Sequence, residues 1–315
     1  MDIITRMTAE VEAFEYPTTK KADFDAFWDR QVALCRSVPL ETAMEPSPCP
    51  YDGITARRVS YKGIDGVTVR GLYLTHDGAG KRPCMILYPG YMDYSGFPTD
   101  YAHWLMLGIN FFVIDARDQN ASTGNTATDE GFVNVLTKGI TSPETYYFRF
   151  LYTDAYRAVE VMLEQEENDP DRIIIMGGSQ GGSLTMAVAA LHDRIWMAMA
   201  DIPSNCCFDL RLIHGQGNFI ALQEHIKRYP ERLQIAADTL SYFDHVNLAE
   251  RITCPIWAMV GLKDGVCPAK YYYAAYRRIP GEKHIRYFPF AGHEHPRDYN
   301  YEKIALVKRR LSEQG

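Results

Sequence analysis

The chain has 315 residues, with 33 lysines and arginines against 40 aspartates and glutamates, for a net charge of −7. That balance argues against nucleic acid as a partner, because a phosphate-reading surface needs basic residues gathered on one face and no stretch supplies them. At 46 % hydrophobic and 23 % charged residues, the composition is that of a globular chain able to bury a large core without staples.

The first dozen residues include acids and no apolar run, so they do not read as a secretory signal. No apolar stretch approaches the ~20 residues that cross a bilayer. The expectation is a cytoplasmic protein with no membrane partner. Within an N-terminal extension of about residues 1–50, Phe24, Phe27, Trp28, Val32, Leu34 and Cys35 recur at helical spacing and predict an amphipathic helix over 21–38. Pro46, Pro48 and Pro50 then break the chain. Val59 and Tyr61, followed by Val67, Val69 and Leu72, alternate around Ile64-Asp65-Gly66 and predict a hairpin over 57–74.

Beyond the hairpin the rhythm changes. Short apolar runs at 84–88, 110–115, 172–176, 195–200, 255–261 and 284–289 read as strands, and helical patterns lie at 101–107, 144–165, 180–191, 269–278 and 298–311. The alternation predicts an α/β fold, a mostly parallel central sheet flanked by helices, with the hairpin as an antiparallel edge. Residues 203–251 have no strand signal and read as a small helical cap, about 204–250, within one domain. The seven cysteines are an odd number without a C-x-x-C pair, which argues against both a disulfide framework and a thiolate metal site. No metal or other cofactor is expected.

The strongest chemical signal is Gly177-Gly178-Ser179-Gln180-Gly181-Gly182, after the apolar run Ile173-Ile174-Ile175-Met176 and before a small-residue helix. A G-x-S-x-G at a strand-to-helix junction forces the serine into a tight turn that lifts its oxygen clear, while the helix start aims free N–H groups at the space above it. A glycine-rich turn could instead cradle phosphate, but no G-K-[ST] follows and no G-x-G-x-x-G opens the first strand. A serine nucleophile needs a base and an acid. Asp264 follows the apolar strand ending at Gly261, and His293 follows the next strand, in the order Ser, Asp, His of α/β-hydrolases. The rival for the acid is Asp244 in the cap; the rival histidine is His295. Tyr91, in Tyr88-Pro89-Gly90-Tyr91, and Gln180 are the expected backbone donors of an oxyanion hole.

Taken together with Pro143-Glu144-Thr145-Tyr146-Tyr147-Phe148-Arg149, Asp154 and Arg157-Ala158-Val159-Glu160, and His293-Glu294, these motifs resemble the acetyl xylan esterase and cephalosporin C deacetylase group, carbohydrate esterase family 7. The likeness runs over almost the whole chain. It implies Ser179, Asp264 and His293 as triad, Tyr91 and Gln180 as oxyanion donors, and a closed homo-oligomer, the hexamer. Two departures stand out: Pro89 replaces the family's usual histidine, and Asp118 replaces the glycine of Arg-Gly-Gln. Aspartate tolerates left-handed backbone better than most residues. Arg117 and Gln119 read as supports of the catalytic loops that do no chemistry themselves.

The function expected is a metal-independent serine esterase that removes small acyl groups, acetyl first, from oligosaccharides or similar alcohols. Bulky side chains at Tyr91, Met92 and Tyr94, with Pro203, are expected to keep the acyl pocket short. The alternatives are an α/β-hydrolase of another bond, such as a peptidase or a dienelactone hydrolase, and an inactive binding protein that kept the fold. A missing triad member would favour the last, and none is missing.

Overall fold

The computed structural model describes residues 2–119 and 134–313. Its centre is a nine-stranded sheet made of β1 (Ala43–Ser47), β2 (Ile54–Lys62), β3 (Thr68–His76), β4 (Arg82–Tyr88), β5 (Asn110–Asp115), β6 (Asn168–Gly178), β7 (Met197–Asp201), β8 (Ile256–Gly261) and β9 (Lys283–Phe288). The spatial order is β1-β2-β3-β5-β4-β6-β7-β8-β9. Pairing is antiparallel from β1 through β3 to β5 and parallel from there onward.

The hairpin forms with its turn at Gly63–Val67, but it is not the edge, because β1 pairs outside β2 with Pro46 opposite Arg57. Pro46 therefore does not exclude a strand, while Pro48 and Pro50 lie just past its end. A proline lacks only the N–H, and on an edge strand that position can face solvent without breaking the ladder.

The helices are α1 (Ile3–Glu12), α2 (Phe24–Ser37), α3 (Ala102–Leu105), α4 (Tyr147–Leu163), α5 (Gln180–Leu191), α6 (Phe208–His214), α7 (Ile220–Arg228), α8 (Leu233–Ser241), α9 (His245–Leu248), α10 (Ala269–Tyr276) and α11 (Arg297–Ser312). Helix α1 has no fully buried residue, although Ile3, Ile4, Met7 and Val11 fall on one face at helical spacing, and Val11 packs against the larger core. In α2, Phe24, Phe27, Trp28, Gln31 and Cys35 form the buried stripe, while Leu34 is exposed; Gln31 holds its place by accepting from Arg149 Nε at 2.8 Å.

Successive residues of a strand point to opposite faces, and the two cores follow that rule. Cys84, Ile86 and Tyr88 of β4, with Ile173 and Ile175 of β6, join α2, α4 and α5 in the larger core. Met85, Ile174 and Met176 join Trp104, Leu105 and Val307 of α11 on the other face. A strand covered on both sides shows no hydrophobic alternation, which is why β4 to β6 appear as continuous apolar runs. All twelve residues of α5 are buried, so its small side chains and two glycines let it lie close to the sheet. Helices α6 to α9 fill the interval between β7 and β8, as the missing strand signal there implied.

Candidate active site

Ser179 lies between β6 and α5 with φ 58° and ψ −116°, a left-handed backbone that few serines adopt. Close packing enforces it. A Cβ at Gly177 would come 2.5 Å from the carbonyl carbon of Gly181, and one at Gly181 would come 2.1 Å from the carbonyl oxygen of Tyr88. The turn is fastened by Ser179 N–H donating to Asp201 O at 3.0 Å, and by Ser183 and Ser204 N–H donating to Ser179 O. Left-handed backbone also gathers at Met92, Asp118, Ile202, Asn205 and Cys207, close along the same sheet edge. For the β-branched Ile202 such a φ is a true outlier, of the kind held at functional sites.

The structure brings Ser179, Asp264 and His293 together, although they stand far apart in sequence. His293 Nε2 is 3.0 Å from Ser179 Oγ, and its Nδ1 is 2.8 Å from Asp264 Oδ2. The Asp264 side chain is fully buried, and its Oδ1 accepts from the N–H groups of Val266 at 2.8 Å and Cys267 at 2.7 Å. Burial works against the charged form of His293, but the hydrogen bond to Asp264 and the neighbouring Cys267 sulfur outweigh it and push the imidazole up to about 10. Asp244 is engaged elsewhere: its carboxylate accepts from Cys207, Phe208 and Val246 N–H and caps α9.

A cleft of about 310 Å³ opens at Ser179, lined among others by Leu87, Tyr88, Pro89, Gly90 and Ile202 with His293, Glu294 and His295. Tyr91 follows Gly90 directly. Gln180 N–H is the first of α5 and has no carbonyl within its own helix. The loop is braced by Gln119, whose Oε1 accepts from Met92 N–H at 2.8 Å and whose Nε2 donates to Gln180 Oε1 at 2.8 Å. Met92 and Tyr94 are exposed, and neither they nor Tyr91 and Pro203 line the cleft, so its apolar wall comes from Leu87, Tyr88, Pro89 and Ile202 instead.

Arg117 is fully buried and pairs with Asp154 at 2.6 Å and Asp65 at 2.8 Å, tying the hairpin turn to α4. Asp118 takes φ 57° and pairs with Lys138 at 3.0 Å, so the turn forms without the glycine. Sequence reasoning missed Asp201, Tyr299 and Lys303, which meet beneath the elbow; no motif marks them. Among the described residues, no group of three histidines, cysteines or acids could hold a metal ion, and no helix is long and apolar enough to cross a membrane.

A mostly parallel sheet, helices on both faces and a serine on a strained strand-to-helix turn define an α/β-hydrolase. Residues 1–311 match the acetyl xylan esterase family (AXE1). The chain is similar to an acetyl xylan esterase from Paenibacillus sp. R4, at 31 % identity and TM-score 0.91 over 98 % of this chain and 99 % of that one. It is also 25 % identical to the acetyl esterase Axe7A of Xylanibacter ruminicola, over 94 % of this chain and 69 % of that protein. Acetyl xylan esterase 1 from Thermoanaerobacterium sp. JW/SL YS485 shares the fold at TM-score 0.90 and 24 % identity, over 98 % of each chain. The chain belongs to the acetyl xylan esterase family and is a carboxylic ester hydrolase.

Proposed function

We propose that the protein is a serine esterase that removes acetyl and other small acyl groups from sugars and related alcohols through an acyl-enzyme. The observation that carries this reading is the chain of contacts from Asp264 through His293 to Ser179 Oγ at the mouth of the cleft. In the first half-reaction Ser179 Oγ attacks the ester carbonyl while His293 Nε2 takes its proton. Asp264 keeps the other proton on Nδ1 and balances the imidazolium. The tetrahedral oxyanion is received by the backbone N–H groups of Tyr91 and Gln180. The C–O bond to the alcohol then breaks, and His293 returns the proton to the departing oxygen. Water, activated by His293, repeats the sequence on the acyl-enzyme and releases the acid and free Ser179.

The relatives' names support acetyl as the acyl group, and the modest cleft with Pro89 and Ile202 in its wall supports a short one. The test is a p-nitrophenyl series. The acetate should give a burst of p-nitrophenol and Ser179 should take a fluorophosphonate label, with Ser179→Ala showing neither. Through butyrate to octanoate, kcat/KM should fall roughly tenfold for each ~1.4 kcal/mol of misfit. A maximum at octanoate would move the assignment to a long-chain carboxylesterase.

A further inference from the structure

Asp201 ends β7 as a buried carboxylate, 1 % exposed, that ester hydrolysis as written above does not use. Its main-chain oxygen takes the N–H of Ser179. Its carboxylate accepts from Tyr299 Oη and Lys303 Nζ, both at 2.9 Å and both on α11, and lies 3.5 Å from His295 Nε2. Burial alone would raise the carboxyl's pKa; Lys303 and His295 outweigh it and hold Asp201 below the ordinary carboxylate value. An ionised Asp201 thus joins the nucleophile turn, the last helix and the loop of the base.

The His295 ring is confined on a second side as well. A Cβ at Gly178, the residue before the nucleophile, would come 2.4 Å from His295 Cε1. Only a glycine lets the imidazole lie against that backbone. His295 is two residues beyond His293, and two residues of chain span no more than ~7 Å. Fixing the His295 ring therefore limits how far the short stretch of chain that carries His293 can move. His293 itself is 27 % exposed and held at its far end by Asp264.

We propose that His295, clamped between Asp201 and Gly178, is a positioning residue that keeps His293 Nε2 within reach of Ser179 Oγ. This rests on the reading of His293 as the base. His295 does no proton transfer, because the contact to Ser179 Oγ belongs to His293. Its contribution is geometric, and it enters kcat through the alignment of the reacting atoms.

The experiment compares His295→Ala and His295→Gln by steady-state hydrolysis of p-nitrophenyl acetate and by thermal denaturation, with Ser179→Ala and His293→Ala alongside. In His295→Ala kcat should fall roughly ten- to a hundredfold, the scale of a small misplacement of a catalytic group. KM should stay within about twofold, since ground-state binding is untouched. The melting temperature should not move, because the side chain is 38 % exposed. His295→Gln, whose amide can still donate to Asp201, should regain most of the lost kcat. Full turnover in His295→Ala, or no recovery in His295→Gln, overturns the proposal. If Ser179→Ala and His293→Ala are inactive while His295→Ala is fully active, only the clamp fails. If either of the first two keeps turnover, the triad reading itself fails.

Discussion

Asp264 and Asp244 are both buried carboxylates that accept backbone N–H groups, and what separates them is a single imidazole. Asp264 keeps one oxygen for His293 Nδ1. Replacing it by asparagine preserves the shape but disfavours the productive tautomer, and kcat should drop by roughly 10⁴ with little change in melting temperature. Asp244→Asn should show the reverse pattern. An amide cannot accept on both sides, so a donor would face Cys207 or Phe208 N–H and stability would fall while the folded fraction kept its kcat. Kinetics and thermal melts on the two variants distinguish the roles; a larger kcat loss at Asp244 would put the acid in the cap. The raised pKa of His293 makes a second prediction. As the proposed base, His293 must be neutral, so kcat/KM should fall as pH drops through that pKa, and the acid limb should be centred above the ordinary histidine value of 6.5. For stability the sign is opposite: the contribution of His293 is complete below 6.5 and is lost as pH rises toward about 10. A limb centred at or below 6.5 would contradict the first statement.

At the level of elements, the turn at Ser179 was legible because its geometry depends on residue types that sequence displays: no side chain but hydrogen fits at Gly177 and Gly181. Gly181→Ala puts this to a direct test. The added methyl would meet the carbonyl of Tyr88, which is backbone and cannot swing aside, so α5 must retreat from β4. We expect a loss of about 1 to 3 kcal/mol by overpacking, read by urea denaturation, together with a fall in kcat as Gln180 N–H leaves its place. Wild-type stability in that variant would mean the two elements are looser than their packing implies. Other elements were hidden for reasons equally physical. Strand β1 contains Pro46 and is stabilised by pairing with β2, a partner that local propensity does not register. Helix α1 carries the stripe Ile3, Ile4, Met7 and Val11, but it is only ten residues long and fully buries none of them, so the pattern is short and easily passed over. The Asp201 cluster draws on β7, α11 and the base loop, and separations of 98 and 102 residues leave no spacing signature.

Across the whole molecule, the assembly state and the docking of the N-terminal extension have different bases. An exposed hairpin edge would favour association, but β1 covers that edge with a short strand carrying Glu45 and Pro46. A closed homo-oligomer is still expected from the family resemblance, and light scattering that returned the monomer mass of 35.9 kDa would end that expectation. The extension is held by Arg157 on α4, which is fully buried. Its guanidinium donates to Lys62 O at 2.6 Å, Cys35 O at 2.6 Å, Val38 O at 2.9 Å and Pro39 O at 2.8 Å. Two of these carbonyls, Cys35 and Val38, belong to the end of α2, where the helix dipole favours a cation. The planar fork can serve them with Pro39 and the end of β2 at once, a geometry that lysine cannot copy. Arg157→Met keeps much of the volume and removes every donor, leaving four carbonyls short of a partner. Each buried group left so costs about 1 to 3 kcal/mol, and those nearest the surface recover part of that from water. We therefore expect Arg157→Met to lose at least about 3 kcal/mol in urea denaturation. Arg157→Lys should recover only part of it. Limited proteolysis should then cut first between residues 38 and 54, the segment that Arg157 fastens. A variant as stable and as protease-resistant as the parent would place the hold on the extension elsewhere, in the packing of Phe27 and Trp28 against Phe243.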